Sequence, residues 1–372
     1  MLKRALLVSI IVALASSASA YTVGGTAFDK RIKLTISQTY VDAALSSFPL
    51  WVRMYRKADP ADDMQADGDD MIFTSSDGST VIPHELVFFE NWGSSVTAEV
   101  HVCVPTVASA ADTDIYMYYG NAVCGDQSQA DRVWTNGYEA VYHLQDAAST
   151  ASDSTAAGDD MTAINSPATT PSVDVCLGNA INYDDGDSDY HTTGAQQAAA
   201  NEITISAYAK LEDWNYATGM CVVGNSSNLC NLKFFQNGGD KIEFRCVNNV
   251  WGNGTPSTST AVAEWRWYYC VGTWEHDDDL VNLYVDDMLA TATLANDAFP
   301  SAFYMAIGGR NDGSEFWDGD IDEVRHSNVA RDADWNHAEW SMFDDNASFL
   351  TWGAEEGGAA ASPEFQMWWW GL

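Results

Sequence analysis

The strongest constraint on how this chain can fold is a hydrophobic period of two. Val96, Ala98, Val100, Val102 and Val104 alternate with Thr97, Glu99, His101 and Cys103. Ile32, Leu34 and Ile36 alternate with basic and hydroxyl residues, and the runs Ile203 to Leu211 and Ile242, Phe244, Cys246 repeat the pattern. Successive side chains of a strand point to opposite faces, so the pattern predicts half-buried strands, one face on a core and the other in solvent. Turn signals such as Asp77-Gly78, Asn237-Gly238-Gly239, Asn253-Gly254 and Asn311-Asp312-Gly313 separate them. Many short strands so spaced predict an all-β fold of antiparallel sandwiches. One segment breaks the rule. Trp335, Ala338 and Met342 fall on one face of a single short helix near the C-terminus, started by Asp332.

At 372 residues the chain is long enough for two domains with separate cores. Acidic residues outnumber basic ones by 53 to 17, for a formal net charge of -36. Nucleic acids and anionic lipid surfaces are bound by clustered Lys and Arg, so this balance excludes them as partners. Fifteen Trp, 16 Tyr and 14 Phe must be packed, which excludes disorder over most of the length. Residues 1–20 read as a secretory signal: Lys3 and Arg4, a short apolar run, then Ala18-Ser19-Ala20. The apolar run is too short to span a bilayer, and no later stretch reaches that length. The expectation is a secreted protein, extracellular or surface-associated, with no membrane span.

Disulfides can persist in that compartment. The seven cysteines are Cys103, Cys124, Cys176, Cys221, Cys230, Cys246 and Cys270, with no C-x-x-C pair to suggest zinc. Cys221 with Cys230, and Cys246 with Cys270, are expected neighbours on adjacent strands, though spacing does not fix the connectivity. The odd count leaves at least one thiol unpaired or bridging to another chain. Seven histidines (His84, His101, His143, His191, His276, His326 and His337) are scattered without metal-ligand spacing and read as structural.

Two segments resemble known families. Residues 30–122 resemble a domain of unknown function of exported prokaryotic and viral proteins. The resemblance rests on Phe48-Pro49-Leu50-Trp51-Val52, Asp69-Asp70-Met71-Ile72-Phe73-Thr74, Pro83-His84-Glu85-Leu86 and the closing Asp114-Ile115-Tyr116-Met117-Tyr118-Tyr119-Gly120-Asn121-Ala122. It implies a compact β-sandwich without known chemistry. From Val133 onward the chain resembles a laminin-G-like, concanavalin A-like jelly roll. Val141-Tyr142-His143-Leu144, Leu283-Tyr284-Val285-Asp286-Asp287, Ile307-Gly308-Gly309-Arg310 and Gly319-Asp320-Ile321-Asp322-Glu323-Val324-Arg325 carry that likeness. The expected organisation is a signal over 1–20, a β-sandwich over 21–132, a jelly roll over 133–353, and a Gly/Ala linker with a Trp-rich tail over 354–372. The two antiparallel sandwiches stand in tandem.

Enzyme signatures are absent: there is no H-E-x-x-H, G-x-S-x-G or P-loop. Some jelly-roll glycosidases carry E-x-D-x-x-E on one strand; Asp320 to Arg325 is the nearest match, with Arg325 where the proton donor belongs. No catalytic residue is assigned. The jelly-roll resemblance implies a structural Ca²⁺ site formed by Asp153, Asp160 and Asp322. Trp214, Tyr216, Trp251 and Trp317 fall at or near predicted loops and strand ends, where flat rings stack on sugar faces. Trp368, Trp369 and Trp370 would anchor self-association into a polymer. The leading expectation is thus a non-enzymatic structural subunit of an extracellular filament, appendage or virion fibre. The alternative is a secreted lectin-like adhesin that binds polysaccharide, with a polysaccharide-degrading enzyme further behind.

Overall fold

A computed structural model describes residues 21–145, 147–172, 177–198, 200–213, 220–225, 230–235, 240–247, 253–258, 261–293 and 302–357. The signal segment 1–20, the tail with Trp368, Trp369 and Trp370, and the candidates Trp214, Tyr216 and Trp251 lie outside the described residues, as does Cys176.

The alternating segments are strands, as their period dictates. In the first sandwich these are β1 (Lys30–Ile36), β2 (Leu45–Lys57), β3 (Ile72–Ser75), β4 (His84–Asn91), β5 (Val96–Val107) and β6 (Thr113–Tyr119). One sheet has the order β2-β5-β4, and the facing sheet contains β1, β6 and β3 as neighbours. Ile32, Leu34, Phe48, Leu50, Val100, Val102, Ile115 and Met117 meet in the core between them.

The second sandwich starts with β7 (Tyr138–Tyr142) and β8 (Asn179–Tyr183) and continues through β9 (Glu202–Leu211), β10 (Met220–Gly224), β11 (Cys230–Phe235) and β12 (Lys241–Val247). Then come β13 (Trp267–Glu275), β14 (Leu280–Val285), β15 (Met288–Thr293) and β16 (Gly319–Ser327). One eight-stranded sheet runs from a short strand at Ala168–Pro171 through β8-β16-β9-β13-β14-β15, with β7 also paired to β16; β10, β11 and β12 lie in the other. The layers approach closely at Gly272, where an added Cβ would lie 2.1 Å from the Phe244 ring. Only glycine leaves room for that ring.

The helix α1 (Ala333–Asp344) forms where the periodicity places it, and Asp332 caps it by accepting a hydrogen bond from Trp335 N at 2.9 Å. It lies between the two sandwiches. Trp335 packs on Phe48 at 5.2 Å between ring centroids, while Phe343 packs on Trp51 at 4.7 Å and on Tyr208 of β9 at 5.1 Å. Among the described residues, no helix is long and apolar enough to cross a membrane.

Two details depart from the sequence reading. After α1 the chain forms β17 (Leu350–Gly357), which pairs antiparallel with β1 of the first sandwich from Leu350 opposite Ile36 to Gly357 opposite Lys30. Composition suggested a jelly roll ending at 353 and a linker beyond. Instead, Glu355 and Glu356 form ion pairs with Lys30 and Arg31, so charge complementarity extends the strand to Gly357. The chain thereby returns to its first sandwich. The cysteine pairs also differ. Cys221 stands opposite Lys233, Cys270 lies on the other sheet from Cys246, and the register sets Cys230 opposite Cys246. Cys103, Cys124, Cys221 and Cys270 are free thiols. Strand register and sheet membership are invisible in sequence spacing, and they decide which cysteines stand opposite each other.

Candidate functional site

The polar face of β5 does not meet solvent. Glu99 and His101 are fully buried, and Thr97 and Cys103 nearly so, because this face packs against the second sandwich. Beside them β4 contributes Glu85, whose Cα partner on β5 is His101. The sandwiches therefore meet on a polar seam that runs beside the apolar contacts around α1.

The opposite side of the seam is built by a bulge. On β16, Ile321 and Val324 both point into the second core. Strict alternation would leave one residue between two inward ones, whereas here there are two, Asp322 and Glu323. The pairing shows the slip: Tyr208 faces Asp322, but Ser206 faces Arg325. Glu323 takes up the extra length with φ of 49°, a left-handed conformation that costs a non-glycine residue energy. The bulge turns Asp322, Glu323 and Arg325 toward the first sandwich. His143, just beyond β7, joins them.

These groups form one connected network. His143 Nδ1 lies 2.5 Å from Glu323 Oε1, and His143 Nε2 lies 3.2 Å from Glu85 Oε2. Trp134 Nε1 donates to Glu85 Oε2. Arg325 donates to Glu323 Oε2 at 2.6 Å and pairs with Glu339 of α1. The Leu177 amide donates to Glu99 Oε2 at 3.1 Å, and Ser172 Oγ donates to Asp322 Oδ2 at 2.6 Å. The His101 and His143 rings stack 4.9 Å apart.

Burial and neighbouring charge divide the groups into charged and neutral. Although burial opposes its charge, His143 is held well above its ordinary range by Glu323 and Glu85. Against the same penalty, His143 and Arg325 hold Glu323 low. Burial, reinforced by Glu323, pushes Glu99 and Asp322 well above the carboxylate range. Burial also drives His101 well below its usual value. The seam thus favours a charged chain Glu85⁻–His143⁺–Glu323⁻–Arg325⁺ beside a neutral pocket of Glu99, His101 and Asp322.

Among the described residues, Glu99, His101, His143 and Glu323 are the one group of three or more such side chains placed to share an ion. Asp153 and Asp160 meet, but among the described residues they form no ion-sharing group with Asp322, as the calcium expectation would need. Asp160 Oδ1 accepts from Asp153 N, and Asp153 itself accepts from Val141 N, Thr155 N and Asp159 N as a loop staple. Asp322 belongs to the seam. The expectation of scattered histidines is also corrected: His101 and His143, 42 positions apart, meet because different strands deliver them.

Trp317 is completely buried in the second core and offers no ring to a sugar. The open aromatic surface lies elsewhere, on both sides of the C-terminal end of α1. A cleft of about 630 Å³ is lined by Trp51, Arg53, Tyr55, Lys57 and Trp352, and one of about 440 Å³ by Tyr208, Arg266, Trp267, Asp286 and Trp340. Both clefts include Phe343 and Asp344, so they adjoin. Cations sit over the rings: Lys57 Nζ is 4.4 Å from the Trp352 centroid, and Lys210 Nζ is 5.1 Å from that of Trp267. Trp352 and Tyr55 escaped notice in the sequence because each lies on an ordinary strand. Only the helix laid across both sandwiches turns them into cleft walls.

Residues 185–335 match the family model of the concanavalin A-like lectin/glucanases superfamily, and residues 67–158 match that of a domain of unknown function (DUF2341). The chain thus carries a concanavalin A-like domain preceded by that domain of unknown function. Among curated proteins, none matches this chain. Solved structures similar to it include domain 4 of AbnA, an extracellular arabinanase of Geobacillus stearothermophilus, solved with arabinotriose. It is 18% identical at a TM-score of 0.44, over 55% of this chain and 97% of that one. The heptameric SAP-like pentraxin of Limulus polyphemus is 13% identical at 0.36, over 46% and 86%. The binding domain of Paraclostridial Mosquitocidal Protein 1 is 9% identical at 0.46, over 58% and 54%.

Proposed function

We propose that this is an exported, non-catalytic carbohydrate-binding protein that holds glycan in the paired clefts beside α1. The observation that carries the reading is the convergence of aromatic rings with charged, hydrogen-bonding groups in two adjoining open clefts. Aromatic faces cover the apolar side of a sugar ring, while Arg53, Lys57, Asp286 and Asp344 supply donors and acceptors at the edges. The adjoining arrangement suits several residues of a polysaccharide rather than a single sugar. Non-catalysis is supported by the acids of β16, each of which is engaged: Asp320 by Lys210, Asp322 by Ser172, and Glu323 by His143 and Arg325. None of these acids lines the clefts. Export rests on the order of charge and apolar residues in 1–20.

The test is a glycan array followed by calorimetry on the hit, using wild type, Trp352→Ala and Trp267→Ala. Loss of one stacked ring should weaken binding at least tenfold in each variant, with the fold intact by circular dichroism. Unchanged affinity in both variants would place the sugar elsewhere. Absence of any hit, together with ordered fibres by electron microscopy, would return the reading to a structural filament subunit.

A further inference from the structure

We propose that the seam cluster is a structural site for a divalent transition-metal ion of the zinc type, ligated by Glu99, His101, His143 and Glu323. Each sandwich supplies two ligands, so the ion would staple the two together.

The geometry fits a four-ligand site. One ligand atom from each residue lies within 4.8 Å of all the others. His101 Nε2 is 3.5 Å from Glu99 Oε1. Bonds of 2.0–2.1 Å in a tetrahedron put neighbouring ligand atoms roughly 3.4 Å apart. The His101–Glu99 contact is close to that edge. The His143–Glu323 contact would open from 2.5 Å to the same length.

A second observation concerns what the protein leaves unmade. Both ring nitrogens of His101 and Oε1 of Glu99 have no hydrogen-bond partner, although both residues are fully buried. Unpartnered buried polar atoms are rare and call for a reason. Here His101 Nε2 and Glu99 Oε1 face the same point as the other ligands. A cation there accepts their lone pairs and removes the penalty.

The surroundings are braced as metal ligands usually are. With Nδ1 of His143 on the ion, its Nε2–H faces Glu85 at 3.2 Å, the carboxylate–histidine arrangement that fixes ring orientation. The Leu177 amide steadies the other oxygen of Glu99, and Arg325 steadies that of Glu323. Two imidazoles and two carboxylates suit zinc and its neighbours, whereas Ca²⁺ takes six to eight oxygens. The two carboxylates balance the ion's charge. Four protein ligands leave no open position, so the site is structural and not catalytic. Because the ligands are sealed inside the seam, the ion would enter as the sandwiches dock during folding.

The test uses untagged full-length protein refolded from denaturant with Zn²⁺ and then dialysed against metal-free buffer. Elemental analysis should find roughly one zinc per chain in wild type and in His326→Gln, a buried histidine outside the cluster. His101→Gln should lose most of it. Wild type without zinc, or His101→Gln retaining as much as wild type, would overturn the proposal. Should the variant fail to fold, wild type refolded with Co²⁺ decides alone. Intense visible bands of four-coordinate cobalt support the site, and only the pale six-coordinate spectrum refutes it.

Discussion

The two faces of β5 are buried to the same depth and chemically opposed. Val96, Ala98, Val100, Val102 and Val104 enter an apolar core, whereas Thr97, Glu99, His101 and Cys103 enter the seam with the second sandwich. In the core, close packing alone removes the surface from water. In the seam, burial is tolerated because charges meet charges: His143 between Glu85 and Glu323, Arg325 between Glu323 and Glu339. A core of this kind forgives small changes of shape, but a charged seam does not forgive the loss of a partner.

The sharpest way to break the comparison is Arg325→Met. It leaves Glu339 without its cation and Glu323 with His143 alone, and breaking a buried pair on one side costs about 3–5 kcal/mol. Phe244→Ala in the second core is the benchmark, expected at about 3–5 kcal/mol for a buried aromatic. Equal losses in urea unfolding would show that the seam is as integral as a core. A loss below about 1 kcal/mol for Arg325→Met would show that water reaches it.

A second measurement sharpens the contrast through pH. His326 is buried in the second sandwich, beside Gln197 and Phe303, and burial alone lowers its pKa from 6.5 to about 4. Above pH 6.5 the ring is neutral in both folded and unfolded chains and contributes nothing. As pH falls from 6.5 toward 4, the unfolded chain takes up a proton that the folded chain refuses, so stability falls. The full effect is about 3 kcal/mol at about 1.4 kcal/mol per pH unit. Stability of wild type relative to His326→Gln should decline by that amount over the window. A parallel pH profile for the two proteins would show that the ring titrates normally. His143, with carboxylates on both sides, is displaced in the opposite direction.

The smallest effect belongs to the surface counterpart of the seam pairs. Glu356 meets Arg31 across β17 and β1 with side chains 44% and 24% exposed. Glu356→Ala should cost about 0.2–1 kcal/mol and less in high salt, because water already screens the pair. A loss comparable to that of Arg325→Met would mean that β17 depends on this contact for its place.

Much of this architecture is legible in the residues. The period of two places the strands, and Asp332 with Trp335, Ala338 and Met342 places the helix. The segment Asp320 to Arg325 was visibly unusual, with Arg325 standing where a glycosidase would place an acid; the structure shows it holding Glu323 and Glu339. The bulge at Glu323 shows in the sequence only as two polar residues between Ile321 and Val324, a break in alternation that does not by itself say which way the strand turns. The clefts left no mark, since Trp352 and Tyr55 become walls only once α1 and β17 fold back on the first sandwich.

The sequence by itself determined that the chain forms two kinds of face, since alternation is a property of neighbouring residues along one strand. Where the polar face would go was decided by tertiary structure alone. A strand states that Glu99 and His101 share a side, but only the docking of a second sandwich carrying His143, Glu323 and Arg325 makes that side an interior. The physical reason is range. Periodicity and capping act within a few residues, whereas burial of a charge depends on partners that the chain brings back from as far as 180 positions away.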